Sequence, residues 1–312
     1  MPDTTTIAHI SDPHLTPLVG ISPRQLNMKR ALGLLNWHKS RKHVHRVDIV
    51  ERLLADMRAM QPHHIAVTGD LCNIGLPSEY HAARNWLDGI GSPQSVSVVP
   101  GNHDIYTKMR HHPGVELWRD YMCSDAFGTG IAAAGGAGRG FPFVRRIGCV
   151  ALIGVNSAVE TRPFVAAGRV GHDQLAALDR VLGELAGCGA ARVVLIHHPP
   201  LPGQAPQLRA LRDADGVQAI LQRRGAELVL HGHNHRDTLV WCDGPKGAIP
   251  VVGIASGSAG RHHKGEPLAR YNLVRVRPSD GRWMIEVTGR GLRTADGDVV
   301  ELDRHVLSEQ RG

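Results

Sequence analysis

The chain has 312 residues, 42% of them hydrophobic and 21% charged, which suits a folded protein of enzyme size and excludes a disordered or fibrous one. A net charge of +7 leaves the fold open but calls for an anionic partner: phosphate ester, nucleic acid or acidic lipid. No apolar run reaches the ~18 residues of a membrane span, no export signal is recognisable, and the five cysteines form no C-x-x-C pair, so reduced thiols and a cytoplasmic location are expected.

In chain order, the first apolar run, TTTIAHI (residues 4–10), predicts a strand and leads into SDPH, which carries Asp12 and His14. Residues 16–46 then interrupt the rhythm. Ser22 and Pro23 predict a helix start, Met28, Leu32 and Leu35 fall at i, i+4 and i+7 on one face, and Trp37 follows. The run HKSRKHVHR (38–46) packs Lys39, Arg41, Lys42 and Arg46 among His38, His43 and His45. One reading of this basic amphipathic insertion is a lid that grips an anionic substrate or, through residues 22–46, leans on an acidic membrane surface. The other is a solvated helix packed on the body, preferred over membrane contact. Its departure right after His14 favours a substrate-side role.

A helix over 48–60 precedes the strand HHIAVTG (63–69) and Asp70, and a helix over 78–90 precedes SVSVVPG (95–101), which runs into Asn102, His103 and Asp104. Residues 128–140, GTGIAAAGGAGRG, hold too much glycine for regular structure and predict a mobile loop. Strand CVALIGV (149–155), a helix over 172–186 and strand ARVVLIH (191–197) follow, the last ending at His197 and His198. A helix over 211–224 leads to AELVLHG (226–232), then His233 and His235. The runs within 249–287 have no helix between them and predict an antiparallel meander or second sheet. Residues 1–312 thus read as a single domain, a two-sheet sandwich flanked by helices.

Each polar cluster follows directly on a strand, and in open α/β sheets ligands gather beyond the carboxyl ends of strands, so the clusters should converge. The spacing of Asp12 with His14, and of His233 with His235, puts both members of a pair on one side of an extended segment. Mixed imidazole and carboxylate suit zinc, iron or manganese. The set exceeds one tetrahedral ion and suits two divalent ions sharing a carboxylate, with a bridging hydroxide as nucleophile and a phosphoester as anionic substrate. Asn102 would hold a metal while His103 steadies phosphoryl oxygens or protonates the leaving group. Asp104 would orient His103. Asn73, Arg261, His262 and His263 are candidate substrate contacts. Glycines before Asp70, Asn102 and His233 allow sharp turns. His63, His64, His81, His111 and His112 are assigned to the surface, and no base-stacking or groove-reading nucleic-acid motif occurs.

The ordered series Asp12/His14, Gly69/Asp70, Gly101 to Asp104, His197 and Gly232 to His235 resembles the calcineurin-like metallophosphoesterase superfamily. The resemblance implies a four-layer α/β/β/α sandwich of two mixed β-sheets flanked by helices. It implies two divalent ions (Mn2+, Fe2+/Fe3+ or Zn2+), with Asp12, His14, Asp70 and His235 on one and Asp70, Asn102, His197 and His233 on the other. His103 matches the family's catalytic histidine, and His197 rather than His198 matches its ligand. GDLCNIGLPSEYHAA and IHHPPLPG look like bacterial phosphodiesterases acting on cyclic nucleotides or glycerophosphodiesters. The alternatives are a UDP-diacylglucosamine-type lipid pyrophosphate hydrolase, a phosphomonoesterase and a catalytically silent metal-binding scaffold.

Overall fold

The computed structural model describes residues 4–15, 18, 20–109, 112–134 and 140–307. In order the elements are β1 (Thr5–Ile10), α1 (Met28–Lys39), α2 (Val47–Ala59), β2 (His64–Val67), α3 (Pro77–Ile90), β3 (Val96–Val98), α4 (Ala126–Ala134), β4 (Phe143–Ile147), β5 (Val150–Val155), α5 (His172–Leu185), β6 (Ala191–Ile196), α6 (Ala214–Arg224), β7 (Leu228–His231), β8 (Thr238–Cys242), β9 (Ile249–Gly253), β10 (Arg270–Ser279), β11 (Arg282–Leu292) and β12 (Val299–Val306). Short 3-10 turns lie at Pro23–Gln25, Arg41–His43 and Gly114–Met122.

Two mixed six-stranded sheets result, ordered β12-β11-β10-β1-β2-β3 and β4-β5-β6-β7-β9-β8. The apolar strand runs are continuous because both faces of each sheet are covered. In β5, Val150 and Leu152 join the core shared with the first sheet, while Ala151, Ile153 and Val155 join the cluster holding Leu178 and Leu182 of α5 and Val217 and Leu221 of α6. Leu53 and Met57 of α2 and Tyr80 and Leu87 of α3 belong to the shared core. The expected sandwich of two mixed sheets with flanking helices is present, and no helix among the described residues is long and apolar enough to cross a membrane.

Several local expectations fail for identifiable reasons. The runs over 249–287 do not form one meander: β9 lies parallel to β7 in the second sheet, whereas β10, β11 and β12 run antiparallel in the first. Residues 126–134 form helix α4 where glycine predicted a loop. Phe127 packs on the α5–α6 side of the core, and a β-carbon at Gly128 would collide with the Val144 carbonyl, so that glycine serves close packing. The rest of the expected loop, 135–139, lies outside the described residues, as does His111. His64 is buried, not on the surface, and its Nε2 lies 2.8 Å from the Ser97 hydroxyl.

The insertion is helical, but the expected face of Met28, Leu32 and Leu35 is not the one that packs. Ser22 caps only the 3-10 turn, in a capping box with Gln25, and the Asn27 side chain caps α1. Met28 and Leu35 are 71% and 57% exposed, whereas Arg30 is 8% exposed. α1 docks through Arg30, Leu34 and Trp37, at i, i+4 and i+7. Arg30 donates to the carbonyls of Gln25 (2.9 Å), Ile74 (3.3 Å) and Gly75, and Leu34 and Trp37 pack with Leu18, Ile74, Leu76 and Tyr106. A guanidinium that satisfies backbone carbonyls stands in for a hydrophobic anchor, which an apolar-spacing pattern cannot register.

Candidate metal centre

The loops leaving β1, β2, β3, β6 and β7 meet at one edge. Asp12 N–H donates to Gly69 O (2.9 Å) and His14 N–H to Asp70 O (3.1 Å), joining the exits of β1 and β2. Gly232 N–H donates to His197 O (3.1 Å), joining β6 and β7. His233 N–H donates to Asp12 Oδ2 (3.1 Å), which links the two sheets.

Asp12, His14, Asp70, His233 and His235 all have left-handed backbone, with φ of 52°, 43°, 57°, 69° and 52°. The expected extended i, i+2 pairs are therefore absent, and convergence comes from a kink at each of these residues. Five non-glycine residues in a costly conformation at one place mark a functional site, because only tight surrounding contacts sustain such strain. Of the glycines expected to turn, Gly69 does so (φ 86°), while a β-carbon at Gly232 would strike the Ser11 hydroxyl.

Each site histidine has one ring nitrogen tied down by a neighbouring oxygen. His14 Nδ1 lies 2.9 Å from Cys72 O, His197 Nδ1 2.7 Å from Thr68 O and His233 Nε2 2.9 Å from Arg209 O, and His103 Nδ1 contacts Asn73 O. Carbonyls only accept, so those nitrogens carry the protons and the opposite nitrogens present lone pairs. His197 Nε2 and His233 Nδ1 then face each other at 3.2 Å with no proton between them, and Asn102 Oδ1 lies 3.2 Å from the same His197 nitrogen. Asp12 Oδ1 is buried without a hydrogen bond, 3.2 Å from His235 Nε2. Acceptors crowded this way fit cations.

Two groupings bring ligand atoms within 4.8 Å of one another: Asp12, His14 and His235, and Asp12, Asp70 and His197. Asp12 is the residue common to both, whereas Asp70, the carboxylate expected to be shared, joins only the second. A third groups His198 with His197 and His233. Its Nδ1, however, lies 2.8 Å from the Ser157 hydroxyl and its Nε2 3.1 Å from the Ala166 carbonyl, so both of its nitrogens are committed.

The electrostatics of these groups express the same crowding. Burial and the Asp12 charge push the Asp70 carboxyl well above the usual carboxylate range. Burial would raise Asp12 too, but the neighbouring His235 pulls it below that range. Burial works against charge on His235, yet Asp12 and Glu266 lift it to about 9. A proton and a metal thus compete for His235 Nε2.

Asp104 does not orient His103. Its carboxylate accepts from the amides of Asp70 (2.8 Å), Gly101 (2.8 Å) and Cys72 (2.9 Å), bracing the exits of β2 and β3 against each other. Burial and the Asp70 charge push it up to about 7, against the pull of those amides. The His103 ring is instead oriented by the Asn73 carbonyl, and the loop holding that carbonyl is braced by Glu79, whose carboxylate accepts from the amides of Asn73, Ile74 and Leu76. Asp104→Ala leaves three buried amides unpaired, and a loss of about 3 kcal/mol or more of stability is expected. Metal affinity should fall about 10- to 100-fold. Thermal melts and a manganese titration check both, and unchanged values would refute the bracing role.

Of the candidate substrate contacts, His263 lines the cleft, with Nε2 3.4 Å from the Ser40 hydroxyl. Arg261 and His262 are exposed and lie outside the lining, and Asn73 is buried and also outside it, meeting His103 Nδ1 through its carbonyl. Three residues with no assigned role also belong here. Arg41 reaches His14 and His103, Glu266 holds His235 Nδ1 at 3.2 Å, and Arg209 holds His233 through its carbonyl. The basic run around Arg41 was a signal without a specific residue. Glu266 and Arg209 sit in ordinary loops with none.

The family model described as Calcineurin-like phosphoesterase matches residues 5–237, which include every expected ligand. Two curated Synechococcus proteins, both named probable cyclic nucleotide phosphodiesterases, are similar. The one from strain ATCC 27144 is 25% identical over 75% of this chain and 80% of its own length, and the one from strain WH7803 is 27% identical over 74% of each. Among solved structures, a dimetal phosphatase from Danio rerio aligns with TM-score 0.58 at 14% identity, covering 95% of this chain and 98% of its own. A purple acid phosphatase from yellow lupin aligns with TM-score 0.56 at 12% identity, covering 98% of this chain and 54% of its own. At these identities the two structures speak to the fold.

Proposed function

Because the chain belongs to the calcineurin-like phosphoesterase family, and is a hydrolase of phosphoester bonds, we propose that it is a two-metal phosphodiesterase acting on small anionic diesters such as cyclic nucleotides or glycerophosphodiesters. The observation that carries the reading is the pair of ligand groupings around Asp12, buried save for the part-exposed His235, with imidazole lone pairs facing one another across 3.2 Å. Asp12, His14, Asp70 and His235 would hold one divalent cation, and Asp70, Asn102, His197 and His233 the other, drawn from manganese, iron and zinc. Such a pair, when bound, makes hydroxide available from water at neutral pH and offsets charge on the phosphoryl group.

The chain's own residues do the rest. The carbonyls behind the histidines hold each ring in its ligating orientation, which prepays the ordering of the site. The cleft above them, about 230 Å³, is lined by Arg41, His103, Arg209 and Lys264, a cationic mouth suited to an anionic ester. His103 carries or donates a proton through Nε2 to the departing oxygen. The names of the two Synechococcus relatives support the cyclic nucleotide class over the lipid pyrophosphate one. A cytoplasmic setting belongs to the same reading, supported by five cysteines that are all free.

The test is a substrate panel on protein reconstituted with manganese: cyclic nucleotides, glycerophosphodiesters, bis(p-nitrophenyl) phosphate, a simple monoester and UDP-diacylglucosamine. Diesters should be cleaved fastest, with activity abolished by chelator and restored by manganese. Two bound equivalents of metal with no hydrolysis of any ester would make the protein a silent scaffold, and faster monoester cleavage would overturn the diester preference.

A further inference from the structure

The insertion after His14 forms one wall of the cleft and is bonded to the body on both sides. At its start Arg30 is clasped by the Ile74 and Gly75 carbonyls, and Lys29 donates to Tyr106 O (2.8 Å) and the Thr161 hydroxyl (2.9 Å). At its end Arg46 N–H donates to Ser258 O (2.9 Å), and Gly260 N–H to Val44 O (2.7 Å). His45 Nδ1 lies 2.8 Å from the Ser258 hydroxyl, and its ring packs edge-on against His14 at 4.4 Å. Between these anchors the 3-10 turn Arg41–His43 points one side chain inward.

That side chain is Arg41. Its guanidinium is wedged against two imidazole rings: Nη2 lies 2.7 Å from His14 Nε2 and 2.9 Å from its Nδ1, and Nη1 lies 3.0 Å from His103 Nε2 and 3.1 Å from its Nδ1. Its partners are thus ring nitrogens. The nearby carboxylates are engaged elsewhere, Asp70 Oδ1 by the His103 amide (2.7 Å) and Asp12 Oδ2 by the His233 amide (3.1 Å). A guanidinium fixed in a cleft without a carboxylate of its own is short of an anion, and its planar fork matches two phosphoryl oxygens.

We propose that Arg41, delivered over the site by the insertion, is the group that grips the substrate phosphoryl and sets its position against His103. This deepens the phosphoesterase reading and rests on it. A metal held by His14 would need the space beside Nε2 that Nη2 fills at 2.7 Å, so in the loaded enzyme the Nη2 edge would turn towards the cleft while Nη1 stays beside His103. Arg41 thereby couples the insertion to substrate binding, and its neighbour Lys42, exposed on the same turn, has no part in it.

The test uses the full chain loaded with manganese and compares wild type, Arg41→Ala, Arg41→Lys and Lys42→Ala. Calorimetric binding of inorganic phosphate is read beside metal content and steady-state kinetics on the best diester. Arg41→Ala should keep its manganese, bind phosphate about 10- to 100-fold more weakly and raise KM by a similar factor, the worth of a charge-assisted pair. Arg41→Lys should recover part of the phosphate affinity, since a point charge replaces the fork, and Lys42→Ala should match wild type. Phosphate affinity and KM within about twofold of wild type in Arg41→Ala would overturn the proposal. Loss of manganese in that variant would also overturn it, because Arg41 would then be a spacer for the histidines. If wild type binds phosphate through Arg41 yet cleaves no ester, the phosphoesterase reading fails and the anion site stands.

Discussion

Asp70→Asn should cost the protein its bound metal and lower kcat by about 10³-fold or more, the scale on which a preorganised electrostatic group is missed in a buried site. Asparagine keeps an acceptor for the His103 amide, which donates to Asp70 Oδ1 at 2.7 Å, so the loop between β3 and His103 should remain in place. What disappears is a negative charge. Asp70 and Asp12 are the two carboxylates of the ligand groupings, and burial together with the Asp12 charge makes Asp70 hard to ionise unless cations are present. That same repulsion is why cations are favoured: each one bound relieves the carboxylate pair. Removing one member takes away the relief. Metal content by plasma emission, read beside activity, checks this, and a variant that keeps two equivalents of manganese and full turnover would contradict the two-metal assignment.

His103→Ala should behave in the opposite way, keeping both metals and lowering kcat by about 10²- to 10⁴-fold, the range for loss of a proton-transferring side chain. The ring stands over the site, tied by Nδ1 to the Asn73 carbonyl and stacked on Tyr106 at 5.4 Å, without a place in either ligand grouping around Asp12. Burial, then the Arg41 charge, holds it well below the ordinary histidine range. Leaving-group dependence separates its two candidate roles. If His103 protonates the departing oxygen, the loss should be larger for poor alkoxide leaving groups than for p-nitrophenolate. If it only steadies phosphoryl oxygens, the loss should be uniform. Loss of metal in this variant would show that His103 is a ligand instead.

Two different kinds of information meet in this protein. Which side chains would gather at the candidate metal centre was legible in the chain, because a metal site demands particular side chains and strand exits are where such chains are presented. Asp12, His14, Asp70, Asn102, His197, His233 and His235 all arrive at one edge. The two-sheet architecture was legible for a similar reason, since strands covered on both faces must read as continuous apolar runs. Strands β4, β8 and β12 escaped notice because they are edges, where charge such as Arg145 and Arg146 or half-exposed positions breaks the pattern.

What the tertiary structure alone decided is how those side chains are aimed. No spacing rule shows that Asp104 would spend its carboxylate on three amides, that Asn73 would orient His103 through its carbonyl, or that Glu266 would reach His235 from a loop 31 positions away. Hydrogen-bond partners of this kind are backbone groups, which every residue carries alike, or lone carboxylates, which surface loops carry in plenty. Arg41 illustrates the limit. Local sequence placed it in a basic helix-turn, but only the anchoring of both ends of the insertion turns that one cation, and not its neighbours, into the cleft. The composition of a site is written in residue types, while its orientation depends on contacts between segments distant in the chain.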